Sequence, residues 1–310
     1  MPKSYSLKSN ISSGLETNLP PWELIFDSGF REDLFNKAID LAFLEDLGKP
    51  PVDLTTSALK GADKETKATI YCKSQPAVIA GIPIIELVFK RLDPEIEINP
   101  LSNEGQKIIQ IPLAVAQIVG KAGAILGAER IALNLLQRMC AVATATSHLV
   151  EKAAKHNIAI LDTRKTTPGL RLFEKYAVLV GGGENHRFGL NDAILIKDNH
   201  IQMSGGITEA VKLLRLQYPN KPLEVECTSL EEVRQCLNLK VDRILLDNMS
   251  PDLVKEALGL VQSRCFIEVS GGINLSNIDG YLQKGVNAIS IGALTHSAAS
   301  IDLSLEVENK

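Results

Sequence analysis

Cysteine is scarce and scattered. The five residues (Cys72, Cys140, Cys227, Cys236 and Cys265) form no C-x-x-C pair, and none has a histidine at zinc-ligand spacing. They read as small buried hydrophobes in a reducing compartment, and the chain as cytoplasmic. Excess positive charge is also lacking. The net charge is -4, which argues against a nucleic-acid partner, since duplex binding needs an extended basic face. No long apolar run exists. The most apolar stretch, residues 108–126, is broken by Gln110, Pro112, Gln117, Gly120, Lys121 and Gly123, so it does not span a membrane. The opening residues are polar and Ser-rich, with Lys3 and Lys8 but no arginine and no apolar core, unlike a secretory signal or a transit peptide. Residues 1–26 are expected to be a flexible lead-in. The dinucleotide fingerprint is missing as well: Gly181-Gly182-Gly183 lacks the G-x-G-x-x-G spacing. It reads as a flexible connection that brings His186-Arg187 over a pocket.

What is present fills 310 residues with an α+β domain over residues 27–127, an α/β barrel over 128–297 and a tail over 298–310. Residues 30–47 carry helical periodicity and stop at Gly48, as a helix C-terminus should. Residues 68–72 and 76–80 read as strands around a polar turn, and 82–92 as a short amphipathic helix. Residues 128–155 are alanine-rich and free of Gly and Pro, the composition of a mostly buried helix. Apolar β runs then recur at 158–161, 193–196, 223–225, 243–246, 265–269 and 288–291. Helical segments (207–217, 230–238, 252–262, 275–284) separate most of them. Repeated β-α units predict a parallel sheet, and this many in succession favour a barrel over a doubly wound open sheet.

Each β run ends in residues of chemical interest. The first ends at Asp162-Thr163-Arg164-Lys165, the second at Lys197 and His200, the third at Glu226, the fourth at Asp247-Asn248, the fifth at Ser270-Gly271-Gly272 and the sixth at Gly292-Ala293. A single charged residue after a strand is usually just solvated. A whole series at C-terminal strand ends marks the rim where barrels hold their ligands. The glycine-bearing turns offer backbone N–H groups to a phosphate, although Gly-Gly after a strand is more often only a tight turn. Glu226 and Asp247 end neighbouring runs and could share Mg²⁺, or simply balance nearby cations. Arg164, Lys165, His186, Arg187 and Lys197 exceed what one phosphate requires, so a ligand with several carboxylates and phosphates is expected. His200 could equally be a structural, locally hydrogen-bonded histidine.

Assembled, these segments resemble the quinolinate phosphoribosyltransferases, also called nicotinate-nucleotide pyrophosphorylases (carboxylating). The likeness rests on Asp162-Thr163-Arg164-Lys165-Thr166-Thr167-Pro168-Gly169, Asn185-His186-Arg187, Leu195-Ile196-Lys197-Asp198-Asn199-His200, Glu224-Val225-Glu226-Cys227, Leu245-Leu246-Asp247-Asn248 and Glu268-Val269-Ser270-Gly271-Gly272-Ile273. Upstream it takes in Glu45-Asp46-Leu47-Gly48, Asp53-Leu54-Thr55-Thr56 and Glu129-Arg130-Ile131-Ala132-Leu133-Asn134. Two departures, the inserted Lys49-Pro50-Pro51-Val52 and Cys140-Ala141 in place of Ser-Gly, lie away from the pocket-lining positions.

The resemblance implies an N-terminal α/β sandwich followed by an incomplete (open) α/β barrel, in a homodimer or larger assembly with Arg130 contributed across the interface. It implies that Arg164, His186, Arg187 and Lys197 surround quinolinate. Lys165, Glu226 and Asp247 would face 5-phosphoribosyl 1-diphosphate and its Mg²⁺ as the catalytic set, with Glu226 and Asp247 as metal ligands and Thr163 close by. Ser270, Gly271, Gly272, Gly292, Ala293 and Leu294 would hold the 5-phosphate, with His296 near. The implied reaction moves the phosphoribosyl group to the pyridine nitrogen, with loss of diphosphate and CO₂. Alternatives are a relative acting on a single carboxylate such as nicotinate, a phosphate-barrel isomerase or aldolase, and a non-catalytic sensor. Retention of Arg130, Arg164, Arg187 and Lys197 speaks against the first. The crowd of cations around Lys197 weakens the second, and retention of Lys165, Glu226 and Asp247 weakens the third.

Overall fold

The computed structural model describes residues 29–308, so the expected lead-in over residues 1–26 lies outside the described residues. The chain forms two compact units. The first holds the described residues up to Ser147, then Thr166–Gly182, then residues from Thr295 on. The second holds His148–Lys165 and Gly183–Leu294.

The first unit is built on an antiparallel sheet. Helix α1 (Gly29–Leu47) ends at Gly48, whose φ of +71° suits glycine in a helix stop. A short helix α2 (Leu54–Ser57) is N-capped by Asp53, whose carboxylate accepts from the amides of Thr55 and Thr56 at 3.0 Å each. Strands β1 (Glu65–Cys72), β2 (Ala77–Val78), β3 (Glu97–Pro100), β4 (Lys107–Ile108) and β5 (Leu113–Lys121) follow, with α3 (Ile82–Leu92) after β2. Beyond β5 come the long α4 (Ala122–Ala153), then α5 (Arg171–Val180). The predicted pair at 68–72 and 76–80 does not form a hairpin. β1 pairs with β5, and β2 pairs with β4. Where the sequence predicts a tail, Leu303–Val307 (β12) pairs antiparallel with β1, giving the sheet order β12-β1-β5-β3. α5, absent from the sequence expectations, packs Phe173 against Phe35 of α1 with ring centroids 5.6 Å apart. Arg138 of α4 pairs with the fully buried Glu174 of α5 at 2.7 Å.

The second unit carries β6 (Ala159–Leu161), β7 (Ile194–Ile196), β8 (Leu223–Cys227), β9 (Arg243–Asp247), β10 (Phe266–Ser270) and β11 (Ala288–Ser290), all parallel. Helices α6 (Asp198–Ser204), α7 (Ile207–Gln217), α8 (Leu230–Asn238) and α9 (Pro251–Val261) separate them, and α10 (Ala293–His296) follows β11. Their starts are written locally. Ser229 and Glu232 form a capping box on α8, and Ser250 caps α9 ahead of Pro251. Only a 3-10 turn at Ile278–Tyr281 occupies the predicted helix over 275–284.

Strand order is β6-β11-β10-β9-β8-β7. Each strand from β7 to β11 lies beside the next, and the last returns beside the first. That is the circular order of a barrel, opened between β6 and β7, and not the reversal of a doubly wound sheet. The gap has a reason in the chain: the segment that could cross from β6 to β7 instead contributes α5 to the first unit. No helix among the described residues is long and apolar enough to cross a membrane.

Candidate active site

Parallel strands bring their C-terminal ends to one rim, so the residues after β6 to β11 share it. Register then fixes who meets whom. Ser270 is level with Asp247 on one side and Ser290 on the other. Ile196 pairs with Val225, which sets Lys197 beside Glu226, and their side chains form a close ion pair. Glu226 and Asp247 sit on neighbouring strands, on the same face of the sheet because Glu226 is level with Leu245, two residues before Asp247. Asp247 accepts from the side-chain amide of Asn248 at 2.7 Å.

Lys165 is exposed on the loop after β6, where its amide donates to the Thr163 hydroxyl at 3.0 Å, and Arg164 beside it is half-buried. The two glycines of the β10 turn differ. A Cβ on Gly271 (φ +101°) would stand 2.6 Å from the backbone nitrogen of Asn248, while Gly272 (φ +61°) faces open space. Gly271 therefore exists for the packing of one rim turn on another, and Gly272 leaves backbone accessible. Gly292 and Ala293 are half-buried, and Leu294 is buried, so Leu294 can offer only main chain to a ligand.

Arg187 is 5% exposed, and its guanidinium donates to the Ala193 carbonyl at 2.9 Å. His186 departs from expectation. The Gly181-Gly182-Gly183 stretch is not a flexible tether, because Gly181 caps α5 and its Cα lies where a Cβ would meet Ala143 and Thr146. After it, Glu184 bridges to Leu161 beside β6, and the carboxylate of the fully buried Asp162 accepts from the His186 amide at 2.9 Å. The His186 ring turns into the barrel, where Nε2 lies 3.4 Å from Glu224 and 3.5 Å from Glu268. His200 takes its structural alternative: Nδ1 accepts from the Lys197 amide at 3.0 Å.

Two expected residues belong to the other unit. Arg130 lies inside α4, two turns after its start at Ala122, with a 61% exposed side chain 3.9 Å from Glu129. His296 is exposed at the end of α10, its Nδ1 2.7 Å from the Ser297 hydroxyl.

The barrel interior holds charges to which the sequence analysis assigned no role. Glu224 and Glu268 are fully buried, and Arg243, 2% exposed, lies over the Phe266 ring at 4.5 Å. Burial, reinforced by Glu268, pushes the Glu224 carboxyl up to about 7, against the pull of His186 and Arg243. Burial would also raise Glu268, but the His186 imidazole outweighs it and holds that carboxyl below its ordinary value. Burial disfavours a charged His186 ring, but Glu268 and Glu224 outweigh it and push its pKa up to about 10. The Arg187 amide lies 2.9 Å from Nδ1, and the other ring nitrogen, Nε2, points its proton toward the two carboxylates. The signal for these residues was available. In Glu224-Val225-Glu226 a second acid falls two residues below a rim acid, and in Phe266-Ile267-Glu268-Val269-Ser270 one falls two below a rim serine. Period two aims all of them inward.

Cations, paired carboxylates and open glycine turns on the rim of an open parallel barrel define a class: an α/β-barrel enzyme built for a small polyanion. Residues 53–140 match the family model for the quinolinate phosphoribosyl transferase N-terminal domain, and residues 142–306 match the C-terminal domain. The chain belongs to the quinolinate phosphoribosyltransferase family. It is 41% identical over 272 residues to a probable nicotinate-nucleotide pyrophosphorylase [carboxylating] of Bacillus subtilis (87% of this chain, 92% of that protein). It is 36% identical to a chloroplastic nicotinate-nucleotide pyrophosphorylase [carboxylating] of rice, covering 100% of this chain and 89% of the relative. The solved nicotinate-nucleotide pyrophosphorylase of Francisella tularensis superposes with a TM-score of 0.83 at 36% identity, over 89% of this chain and 96% of that one. A human nicotinic acid phosphoribosyltransferase shares the fold at 13% identity, with a TM-score of 0.57 over 83% of this chain and 74% of that one.

Proposed function

We propose that this protein transfers the phosphoribosyl group of 5-phosphoribosyl 1-diphosphate to the ring nitrogen of quinolinate, releasing diphosphate and CO₂ and forming nicotinate mononucleotide for NAD biosynthesis. Family membership across nearly the whole described chain supports the reaction. The single structural observation that carries it is the Lys197–Glu226 pair, beside Asp247 on the neighbouring strand and on a rim shared with the open turn at Gly272.

In this reading Arg187, Lys197 and Arg164 neutralise the two carboxylates of quinolinate and fix the ring nitrogen toward the ribose. His186 supports Arg187 from behind, since both of its ring nitrogens are engaged within the protein. Ser270 to Gly272 and Gly292 to Leu294 hold the 5-phosphate through main chain, with His296 assigned to the same phosphate. Lys165, on its exposed loop near Thr163, neutralises the diphosphate as it leaves C1. Catalysis is then mainly positioning and charge stabilisation. When CO₂ leaves the adduct, the bonding electron pair stays on C2 as a carbanion stabilised by the adjacent positive ring nitrogen, and a proton from solvent then completes C2.

Glu226 and Asp247 fit Mg²⁺: both are half-buried carboxylates on one sheet face, held by Lys197 and Asn248 respectively, and hard oxygen ligands suit that ion. When bound there, Mg²⁺ would add positive charge against the diphosphate. Assembly is a homodimer or larger. Exposed Leu190, Met203, Leu213 and Leu216 near the open β7 edge support a second copy, and the exposed Arg130 is assigned to a neighbouring subunit's pocket. The compartment is cytoplasmic, in keeping with five free thiols.

The test mixes purified protein with quinolinate, 5-phosphoribosyl 1-diphosphate and Mg²⁺ and follows nicotinate mononucleotide and CO₂. A protein that instead uses nicotinate, with no CO₂ released, would refute the reading.

A further inference from the structure

A buried acid pair inside a barrel is expensive. Barrel interiors are ordinarily filled by branched apolar side chains, and a carboxylate removed from water must be compensated. Here two carboxylates from strands that are not neighbours, β8 and β10, converge on one imidazole. Glu224 and Glu268 are wholly buried, and none of their four oxygens makes a well-formed hydrogen bond. Their approach to His186 Nε2, at 3.4 and 3.5 Å, is what gathers them.

The other side of the ring shows what this arrangement does. His186 Nδ1 accepts the Arg187 amide at 2.9 Å, and the His186 amide is held by Asp162 at 2.9 Å. The Arg187 guanidinium is tied to the Ala193 carbonyl at 2.9 Å. The carboxylates therefore orient the ring, the ring holds the Arg187 backbone, and the guanidinium leaves from a fixed point. A metal at this cluster, whose three ligand atoms lie within 4.8 Å of one another, is disfavoured by the same geometry. A proton on Nε2, held toward the two carboxylates, leaves no lone pair there for an ion.

We propose that Glu224 and Glu268, acting through the His186 ring, are positioning residues for Arg187 and thereby set affinity for the pyridine dicarboxylate. The substrate half of this rests on the proposed function; the positioning half stands on the geometry alone.

The experiment has three readouts. On wild-type protein, ¹⁵N NMR of the imidazole should show Nε2 protonated, as its approach to the two carboxylates requires; an unprotonated Nε2 would overturn the proposal whether or not any variant folds. In Glu268→Gln and Glu224→Gln, hydrogen exchange of the Arg187 amide should quicken about tenfold or more, while β9 amides keep their protection. Unchanged exchange at Arg187 would refute positioning without any reference to substrate. Finally, each Gln variant should raise the quinolinate KM roughly 10-fold or more, with the 5-phosphoribosyl 1-diphosphate KM within about 3-fold of wild type. In an Arg187→Ala background the same changes should add little, because the path ends at that residue. Fully additive losses would mean that the acids act independently of Arg187 and would sink the proposal. Failure of wild-type protein to use quinolinate refutes the proposed function, leaving the exchange and NMR results to decide the positioning.

Discussion

Replacing Gly271 and Gly272 one at a time by alanine separates a structural glycine from a functional one two atoms away. At Gly271 the backbone has φ +101°, a region that alanine occupies at a cost of about 1–3 kcal/mol. The new Cβ would also lie 2.6 Å from the Asn248 nitrogen, which itself donates to the Ser270 carbonyl at 2.9 Å. Because the obstacle is backbone, the two turns must part, and overpacking of this kind adds about 1–3 kcal/mol. The sum is about 2–6 kcal/mol. At roughly 2–4 °C per kcal/mol for a domain of this size, Gly271→Ala should melt about 4–24 °C below wild type. At Gly272, φ is +61° and nothing lies within 4 Å of the added atom. Left-handed strain of about 1–2 kcal/mol is then the whole cost, or a few degrees. The functional order should reverse relative to stability. Gly272→Ala places a methyl over the backbone assigned to the 5-phosphate, so its KM for 5-phosphoribosyl 1-diphosphate should rise several-fold in a protein that is nearly as stable as wild type. Thermal melts and initial-rate kinetics on both variants check this. Equal melting temperatures for the two would show that the Asn248 contact does not constrain Gly271, and an unaltered KM in Gly272→Ala would remove that turn from the phosphate site.

Arg187→Ala and Lys197→Ala should each weaken quinolinate binding by roughly one to three decades, since each leaves a buried carboxylate without its partner; near-wild-type calorimetry in both would refute the assignment. Activity should require Mg²⁺, with Glu226→Ala and Asp247→Ala impairing use of 5-phosphoribosyl 1-diphosphate far more than quinolinate binding, and undiminished turnover in excess chelator would contradict it. Arg130→Ala and Lys165→Ala proteins, each inactive, should recover roughly a quarter of wild-type activity when mixed under subunit exchange, because half the dimers are mixed and each has one intact pocket; no recovery despite proven exchange would assign Arg130 elsewhere. Glu104 gives a pH test. Burial raises its carboxyl above the ordinary value, although the Tyr176 hydroxyl (2.7 Å) and the Gly81 and Ile82 amides pull it down. The folded state thus holds that proton more tightly than the unfolded chain, so this contribution is full below about pH 4.5 and declines as pH rises through the raised value. Melting temperature against pH should flatten in that window in Glu104→Gln; an unchanged slope would place the effect in another group.

Helix spacing, capping residues and the run of rim motifs are local properties, and the sequence by itself determined them. The bounds of α3, α7 and α8 agree with the apolar periodicity of residues 82–92, 207–217 and 230–238, because a helix closes its hydrogen bonds within its own turns. The β runs were legible for a related reason: their outward faces must be apolar to meet helices, and their ends must turn. The rim residues followed from parallel direction alone. Pairing partners were decided only by tertiary structure. Nothing near Leu303–Val307 announces that this tail completes a sheet with β1, since strand hydrogen bonds are satisfied by residues far along the chain. The setting of α5 was decided by tertiary structure: Arg171, Glu174 and Lys175 fall on one helical face and read as solvent-facing, yet Glu174 and Lys175 are buried with nearly all the rest of the helix. The position of His186 is the clearest instance. Its neighbours in sequence point to a mobile tether over a ligand, whereas the pairing of Glu184 with Leu161 and the inward pleat of β8 and β10 bring two distant glutamates to its ring. A side chain's partners in a barrel are set by register between strands, and register is fixed only when the whole sheet has closed.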